Sequence, residues 1–281
     1  MAIIEQAFKP ESPNRVGRQI EVSTAAELTT ALAALLANDV IYLKPGNYAG
    51  AFTIPYSATA TGISLIGAGP RGSVQLTGTG ATTILTNEAH RTVLRNITLN
   101  GDETALSVGL LNRGRGRRYS VGRILNVAIS AKFTLGTPTQ VTAGTHSDGS
   151  DTLCEDVEFS WGTSGVELIG VADGASNFGT TQNYFRRCTF HNLTAASVTE
   201  TPSAVTQSFR DLELSDCIFK RVEAGTEPTK YLDLNDDNAN SGIVTRCSFP
   251  TALTGGKNLV STALLWVSNY HTGGVSTGQP S

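Results

Sequence analysis

Charged side chains are scarce in this sequence. Asp, Glu, Lys and Arg make up 16% of the 281 residues, and the formal net charge is -3 at pH 7. A balance this close to neutral gives no general attraction to nucleic acid or to an anionic membrane, so neither is expected as a partner. No run of 18 apolar residues occurs, so no transmembrane helix is predicted. The first ten residues lack the charged start and apolar core of a signal peptide, so we expect synthesis without one.

Cysteine and aromatic residues are also few. The four cysteines show no CxxC spacing, which argues against a zinc site, and no cofactor is expected. The only two tryptophans, Trp161 and Trp266, do not form the series of exposed rings that is typical of a carbohydrate-binding surface. The amino-acid composition therefore indicates very little about the function.

What the sequence has instead is a repeat. Six segments read apolar, two mostly polar, apolar, any, apolar, and their fourth residues fall at 97, 127, 157, 188, 217 and 247. A period of about 30 residues indicates a solenoid, in which each unit buries its apolar side against its neighbours. The last three residues alternate like a half-buried strand. The second polar position often holds a residue that tolerates a left-handed bend, namely Asn96, Asn126, Asp156 and Asp216.

Stacking the repeats predicts three interior columns of side chains, about 4.8 Å apart from coil to coil. All eighteen members are apolar or cysteine: Leu94, Ile124, Cys154, Phe185, Leu214 and Val244; Ile97, Val127, Val157, Cys188, Cys217 and Cys247; Leu99, Ile129, Phe159, Phe190, Phe219 and Phe249. The four cysteines therefore read as free, buried structural thiols.

These strand-bend-strand segments resemble those of the pectate-lyase-like superfamily. The resemblance is carried by Val93-Leu94-Arg95-Asn96-Ile97-Thr98-Leu99 and by residues 41–48 and 63–69, which are similar to the first coils of that group. It implies an all-β fold: a single-stranded, right-handed parallel β-helix, or solenoid. The superfamily contains lyases, hydrolases, esterases, phage tailspikes and non-catalytic virion proteins, so fold alone does not give the activity.

The predicted organisation is one domain with two flanking segments. Residues 1–20 read as an extended arm, 21–271 as the β-helix of about eight coils, and 272–281 as an irregular tail. Thr24-Ala25-Ala26-Glu27 has the form of a capping box, which predicts a short helix over about 25–37 that covers the open end of the first coil.

The strongest enzymatic signal is residues 146–151, followed by the strand around Val157. This segment is similar to a polygalacturonase pattern, and the resemblance implies that Asp148 is one catalytic carboxylate. Since glycosidases need two carboxylates, Asp151 or Asp173 is the candidate for the second. The Gly-His-Gly and Arg-x-Lys that should accompany it are missing. The alternative is that Asp148 stabilises a turn.

Two further clusters have a functional and a structural interpretation. Asp233, Asp236 and Asp237 are weak candidates for a hard cation such as Ca²⁺, although Asp is also common in turns for conformational reasons. Arg113, Arg115, Arg117 and Arg118 form a basic turn that either binds an acidic polymer or protein, or is a solvated loop.

Two functional hypotheses follow. The first is a non-catalytic structural protein of a bacteriophage virion, a capsid decoration protein or short fibre, assembled as a trimer and contacting the major capsid protein. It rests on the missing signal peptide, the buried thiols, the incomplete catalytic sets and the two terminal arms. The alternative is a polysaccharide-degrading enzyme, a hydrolase or lyase resembling a tailspike depolymerase, with a surface polysaccharide as its partner.

Overall fold

The chain winds into a right-handed parallel β-helix with one α-helix near its N-terminus, as the repeat predicts. The computed structural model describes residues 17–56, 61–78, 80, 82–101, 108–112, 122–130, 132–135, 152–169, 171–173, 176–178, 180–201, 209–220, 231–234, 241–250, 258–259, 264–271 and 274–276. Within them, no helix is both long and apolar enough to cross a membrane.

The first sheet has ten parallel strands, one per coil, so the described residues form more than the eight coils expected from the sequence. In spatial order they are β1 (Gln19–Val22), β2 (Val40–Leu43), β5 (Ser64–Gly67), β8 (Thr92–Arg95), β11 (Gly122–Leu125), β14 (Thr152–Glu155), β19 (Tyr184–Arg186), β22 (Leu212–Ser215), β25 (Gly242–Thr245) and β28 (Leu264–Val267). The sequence count missed coils because the first and last ones lack the repeat pattern.

The second sheet covers two further faces of the coil. Its main path is β3 (Gly46–Ala49), β6 (Val74–Thr77), β9 (Thr98–Asn100), β12 (Ala128–Ser130), β15 (Glu158–Ile169), β20 (Thr189–Thr201), β23 (Ile218–Phe219), β26 (Ser248–Phe249), β29 (Asn269–His271) and β30 (Gly274–Ser276). The third face is made of β4 (Phe52–Ile54), β7 (Thr83–Asn87), β10 (Val108–Asn112), β13 (Lys132–Leu135), β24 (Leu232–Asp233) and β27 (Asn258–Leu259). The long strands β15 and β20 join these two faces.

Short strands outside the two sheets complete the described structure. An antiparallel pair is formed by β16 (Val171–Asp173) and β17 (Ser176–Phe178), and a parallel pair by β18 (Thr180–Thr181) and β21 (Phe209–Arg210). At the C-terminal end β30 turns back antiparallel to β29, within the segment expected to be an irregular tail.

The interior columns are confirmed, since all eighteen predicted members are buried. Four phenylalanines stack face to face along the axis: the ring centroids are 4.9 Å apart for Phe159–Phe190, 4.8 Å for Phe190–Phe219 and 4.5 Å for Phe219–Phe249. These distances equal the spacing of the strands, so each coil adds one ring to the stack.

The four cysteines are free and buried, as predicted. Burial raises the pKa of the Cys154 and Cys217 thiols, because the charged thiolate loses its hydration inside the solenoid. These two thiols therefore stay protonated, as expected for small side chains in a core.

The bend between the first and second sheets is left-handed in seven successive coils. The last of them has Ser268, with φ 52°, at this position, and the six before it have longer polar side chains. The φ angles are 56° at Asn96, 51° at Asn126, 55° at Asp156, 51° at Arg187, 54° at Asp216 and 52° at Arg246. Their side chains form hydrogen-bonded pairs across neighbouring coils. Asn126 Nδ2 donates to Asn96 Oδ1 at 2.8 Å. Arg187 binds the carboxylate of Asp156, and Arg246 binds that of Asp216, each through two nitrogens. We call these six residues the first bend ladder.

The capping helix α1 runs over Ala25–Ala33, shorter than the predicted 25–37. Thr24 is its N-cap and accepts a hydrogen bond from Glu27 N, as the capping box requires. The helix ends early because side chains bind the backbone carbonyl and N–H groups that would form the hydrogen bonds of a further helical turn. Arg18 Nη2 donates to Ala34 O at 2.6 Å, and Leu36 N donates to the buried carboxylate of Asp39 at 2.7 Å.

Candidate functional site

A second left-handed bend lies where β15 and β20 pass from the second face to the third. It is formed by Trp161, with φ 54°, and Asn192, with φ 53°. The register pairs Ser160 with His191 and Gly162 with Leu193, so Trp161 and Asn192 are equivalent residues in adjacent coils. Polar and aromatic side chains gather around this bend on the outer surface of the solenoid.

The polar group beside the bend is centred on Glu158, and we call Arg71, Glu158, His191 and Asn192 the Glu158 cluster. Glu158 points outward because the residues on both sides of it, Val157 and Phe159, point into the core. Its Oε2 lies 2.8 Å from Arg71 Nη2, and its Oε1 lies 2.9 Å from His191 Nε2. One carboxylate is thus held from two sides by groups that come from different coils.

Arg71 comes from the turn between β5 and β6, far from Glu158 in the sequence. Besides the carboxylate, it binds the backbone carbonyl of Asp156, which accepts from Nη1 at 3.3 Å. These two contacts, one to the bend residue Asp156 and one to Glu158 at the start of β15, fix the guanidinium plane against the carboxylate.

Asn192 orients the imidazole of His191. Its Nδ2 lies 3.2 Å from His191 Nδ1, and the Asn192 side chain is buried. An amide nitrogen only donates, so Nδ1 accepts, and Nε2 carries the proton that points at Glu158. The ring is therefore held in one orientation, with Nε2 at 2.9 Å from Glu158 Oε1.

A histidine within hydrogen-bond distance of a carboxylate is a candidate acid–base pair, provided that a substrate can reach both groups. The side chains of Glu158 and His191 are 31% and 18% exposed, so both are accessible at the surface. Lys220, the next residue beyond the Phe219 column, is exposed one coil further on, where its backbone N donates to Phe190 O at 2.8 Å. Arg71 lies on the opposite side of the pair, where its charge is matched by that of Glu158.

The site residues suggested by the sequence cannot be compared with this cluster directly. Asp148, Asp151, Asp236, Asp237 and the basic turn Arg113, Arg115, Arg117 and Arg118 lie outside the described residues. Asp173 and Asp233 lie in the described strands β16 and β24, but their side chains are outside the described part. These assignments stay predictions.

The Glu158 cluster was not predicted from the sequence, although the positions of two of its members could be recognised there. Glu158 and His191 occupy outward positions of successive repeats, one beside the Val157 column and one beside the Phe190 column, so the period places them in neighbouring coils. Arg71 gave no such signal, because it lies in a turn that has no place in the repeat.

A metal-binding group is not found in the described part of the chain, where no three His, Cys, Asp or Glu side chains come together. Glu155 and Asp156 lie near the cluster, but both bind Arg187, at 2.8 Å each. Glu155 and Asp156 thus pair with an arginine, whereas Glu158 also contacts a histidine.

Comparison with known proteins gives structural neighbours only. No family model and no curated protein matches the sequence. The fold is similar to an alginate lyase from Paenibacillus sp. (TM-score 0.53, 12% identity, 91% of this chain and 96% of that chain) and to a rice weevil pectin methyl esterase (TM-score 0.57, 12% identity, 100% and 87%). A pectin methylesterase in complex with a hexasaccharide also matches (TM-score 0.50, 12% identity, 90% and 87%).

These similar structures confirm the parallel β-helix fold. The prediction of a non-catalytic virion protein is wrong, since the similar structures carry the names of polysaccharide-acting enzymes. That prediction relied on missing sequence motifs, but a solenoid assembles sites from residues one or more coils apart, where linear motifs give no signal.

Proposed function

We propose that the protein is a polysaccharide-degrading enzyme, a hydrolase or a lyase, whose substrate lies on the outer surface of β15 and β20. The observation that carries this proposal is the Glu158 carboxylate, held at 2.8 Å by Arg71 and at 2.9 Å by His191. The names of the structural neighbours support the same class of substrate.

In this proposal His191 and Glu158 form the acid–base pair. Arg71 holds the Glu158 carboxylate in an ion pair, Asn192 holds the imidazole, and the pair is therefore positioned before the substrate arrives. The exposed side chain of Lys220, one coil beyond His191, favours an acidic polymer over a neutral one.

The two reaction classes make different demands on this site. Hydrolysis uses two carboxylates, and within the described residues the Glu158 cluster supplies one. A hydrolase would need a partner for Glu158, for which Asp148, Asp151 and Asp173 remain the sequence candidates. Elimination needs a base and a cation that holds the uronate carboxylate, so the products distinguish the two classes.

The test is to incubate the protein with alginate, polygalacturonate and neutral dextran, and to measure new reducing ends and the ultraviolet absorbance of unsaturated products. We expect cleavage of an acidic polymer, with the absorbance marking elimination. Glu158→Gln should lower the rate by about 100-fold or more, since acid–base groups typically contribute 10²–10⁴-fold.

The matched control is Asp216→Asn, which removes another carboxylate charge that binds an arginine, but in the first bend ladder. It should leave the rate unchanged. Equal activity of Glu158→Gln and wild type, or failure to cleave any of a wider panel of acidic polymers, would overturn the proposal. The bacteriophage source, the trimeric assembly and synthesis in a host cytoplasm stay predictions.

A further inference from the structure

Trp161 combines two features that do not go together in an ordinary structural residue. Its side chain is 43% exposed, and its backbone has φ 54°, in the left-handed region. Left-handed backbone is unfavourable for a bulky side chain and costs of the order of 1–3 kcal/mol where the surrounding structure imposes it. The residue therefore carries a backbone cost without the full burial of a core tryptophan.

The bend itself does not require this side chain. One coil further on, the equivalent position is Asn192, with φ 53°, and asparagine is a residue type that suits this conformation. Asn96 and Asn126 occupy the first bend ladder in the same way. An asparagine at position 161 would make the same turn, so the indole needs another explanation.

The position of Trp161 supplies one. It follows Glu158 by three residues on the same strand, and its equivalent, Asn192, donates to His191. Trp161 is equivalent to Asn192 in the adjacent coil, about 4.8 Å away, so the residue lies beside a member of the Glu158 cluster, and its side chain is exposed.

From this arrangement we infer that Trp161 is a substrate-binding residue that stacks on a sugar ring and sets which ring of the polymer lies at the Glu158 cluster. One face of a pyranose ring presents C–H groups, and an exposed indole offers a large, rigid apolar area against which that face packs. The inference rests on the proposed function for its ligand class, and adds the residue that fixes the register of the chain.

The two tryptophans make this directly measurable, because Trp266 is only 5% exposed and stacks on Phe249. In Trp266→Phe the remaining tryptophan fluorescence comes from Trp161 alone. We expect oligosaccharides of the acidic polymer to protect that fluorescence from quenching by acrylamide, whereas dextran oligosaccharides should not.

The decisive variant is Trp161→Asn, chosen because asparagine already makes the equivalent bend at position 192. We expect Kd and KM for the oligosaccharide to rise about tenfold, a difference of about 1.4 kcal/mol in binding, with kcat changed less than KM. Its denaturant midpoint, compared with that of wild type, shows whether the fold is retained.

The outcomes separate the inference from the function on which it rests. Cleavage with Kd and KM unaffected by Trp161→Asn would overturn the stacking role and leave the enzyme proposal intact. Protection of Trp161 by an oligosaccharide that is never cleaved would support stacking and overturn the enzyme proposal. Absence of both protection and cleavage with every acidic polymer tested would overturn both.

Discussion

The two left-handed bends of the solenoid have the same backbone conformation, but their side chains have different roles. In the first bend ladder, Asn126 bonds Asn96 and Arg246 bonds Asp216, so each side chain stabilises the equivalent residue of a neighbouring coil. In the second bend, Asn192 donates to its neighbour His191, and Trp161 is partly exposed. Side-chain hydrogen bonds serve the architecture in one bend and orient the Glu158 cluster in the other.

The difference shows how a repeat fold obtains a site. Where the same constraint recurs in each coil, residue types converge on those that satisfy it, here Asn, Asp and Arg. Where one coil departs from that set, as Trp161 does, the departure has a local energetic cost and needs a local reason. The regular bend therefore serves as a reference against which the irregular one is measured.

Among substitutions at the two bends, the largest effect on stability is expected from one that breaks the regular bend. Asn126→Val should destabilise the protein by about 2–3 kcal/mol, because a β-branched residue is poorly tolerated at φ 51° and the bond to Asn96 is lost. Asn126→Gly should cost only about 1 kcal/mol, since glycine adopts this conformation freely. Denaturant unfolding measures both, and equal losses would show that the backbone conformation is not what the asparagine provides.

The regular bend was largely predictable from the sequence, and the reason is physical. Each coil requires an apolar residue at the inward position of Ile97 and a polar residue at the bend position of Asn96. The same residue types therefore recur in each of the following repeats. The fold could be inferred because six independent readings agreed.

The candidate site was only partly predictable. Outward positions carry no packing constraint, so Glu158 and His191 stand out only once the register of the coils is known. Arg71 reaches the cluster from a turn, and no periodic argument places it there. The left-handed backbone of Trp161 contradicts the preference of its residue type, so no local pattern could have indicated it.

A second prediction compares glycine at the two bends. Asn192→Gly and Asn126→Gly both keep the left-handed backbone and remove one amide, so their effects on unfolding free energy should be similar, at about 1 kcal/mol. Only Asn192→Gly releases His191, which should lower the rate of polymer cleavage about tenfold. The ratio of the two rates is the measurement, and similar rates would mean that Asn192 does not position the imidazole.

A smaller effect is expected from Trp161→Asn on stability. Removing a buried aromatic side chain costs about 3–5 kcal/mol, which is our expectation for Trp266→Ala. At position 161 the lost contacts of the half-exposed indole are offset by relief of the left-handed strain, so the change should stay within about 1 kcal/mol. A loss as large as that of Trp266→Ala would show that Trp161 is mainly a packing residue.

The smallest effect concerns the charged pairs of the regular bend and depends on pH. Hydrogen bonding from Arg246 lowers the pKa of Asp216 below its ordinary value of 3.8, so the pair stabilises the fold above that pH. Both side chains are about half exposed, which limits the contribution to less than about 1 kcal/mol at moderate salt.

Arg246→Gln should therefore be slightly less stable than wild type at pH 7. The difference should shrink as the pH falls below 3.8, because Asp216 becomes protonated in both proteins, and it should also shrink at high salt. Urea unfolding at pH 7 and at lower pH values measures it. A difference that grows towards low pH would have the wrong sign for a carboxylate with a lowered pKa, and would show that Arg246 stabilises the bend by packing rather than by its charge.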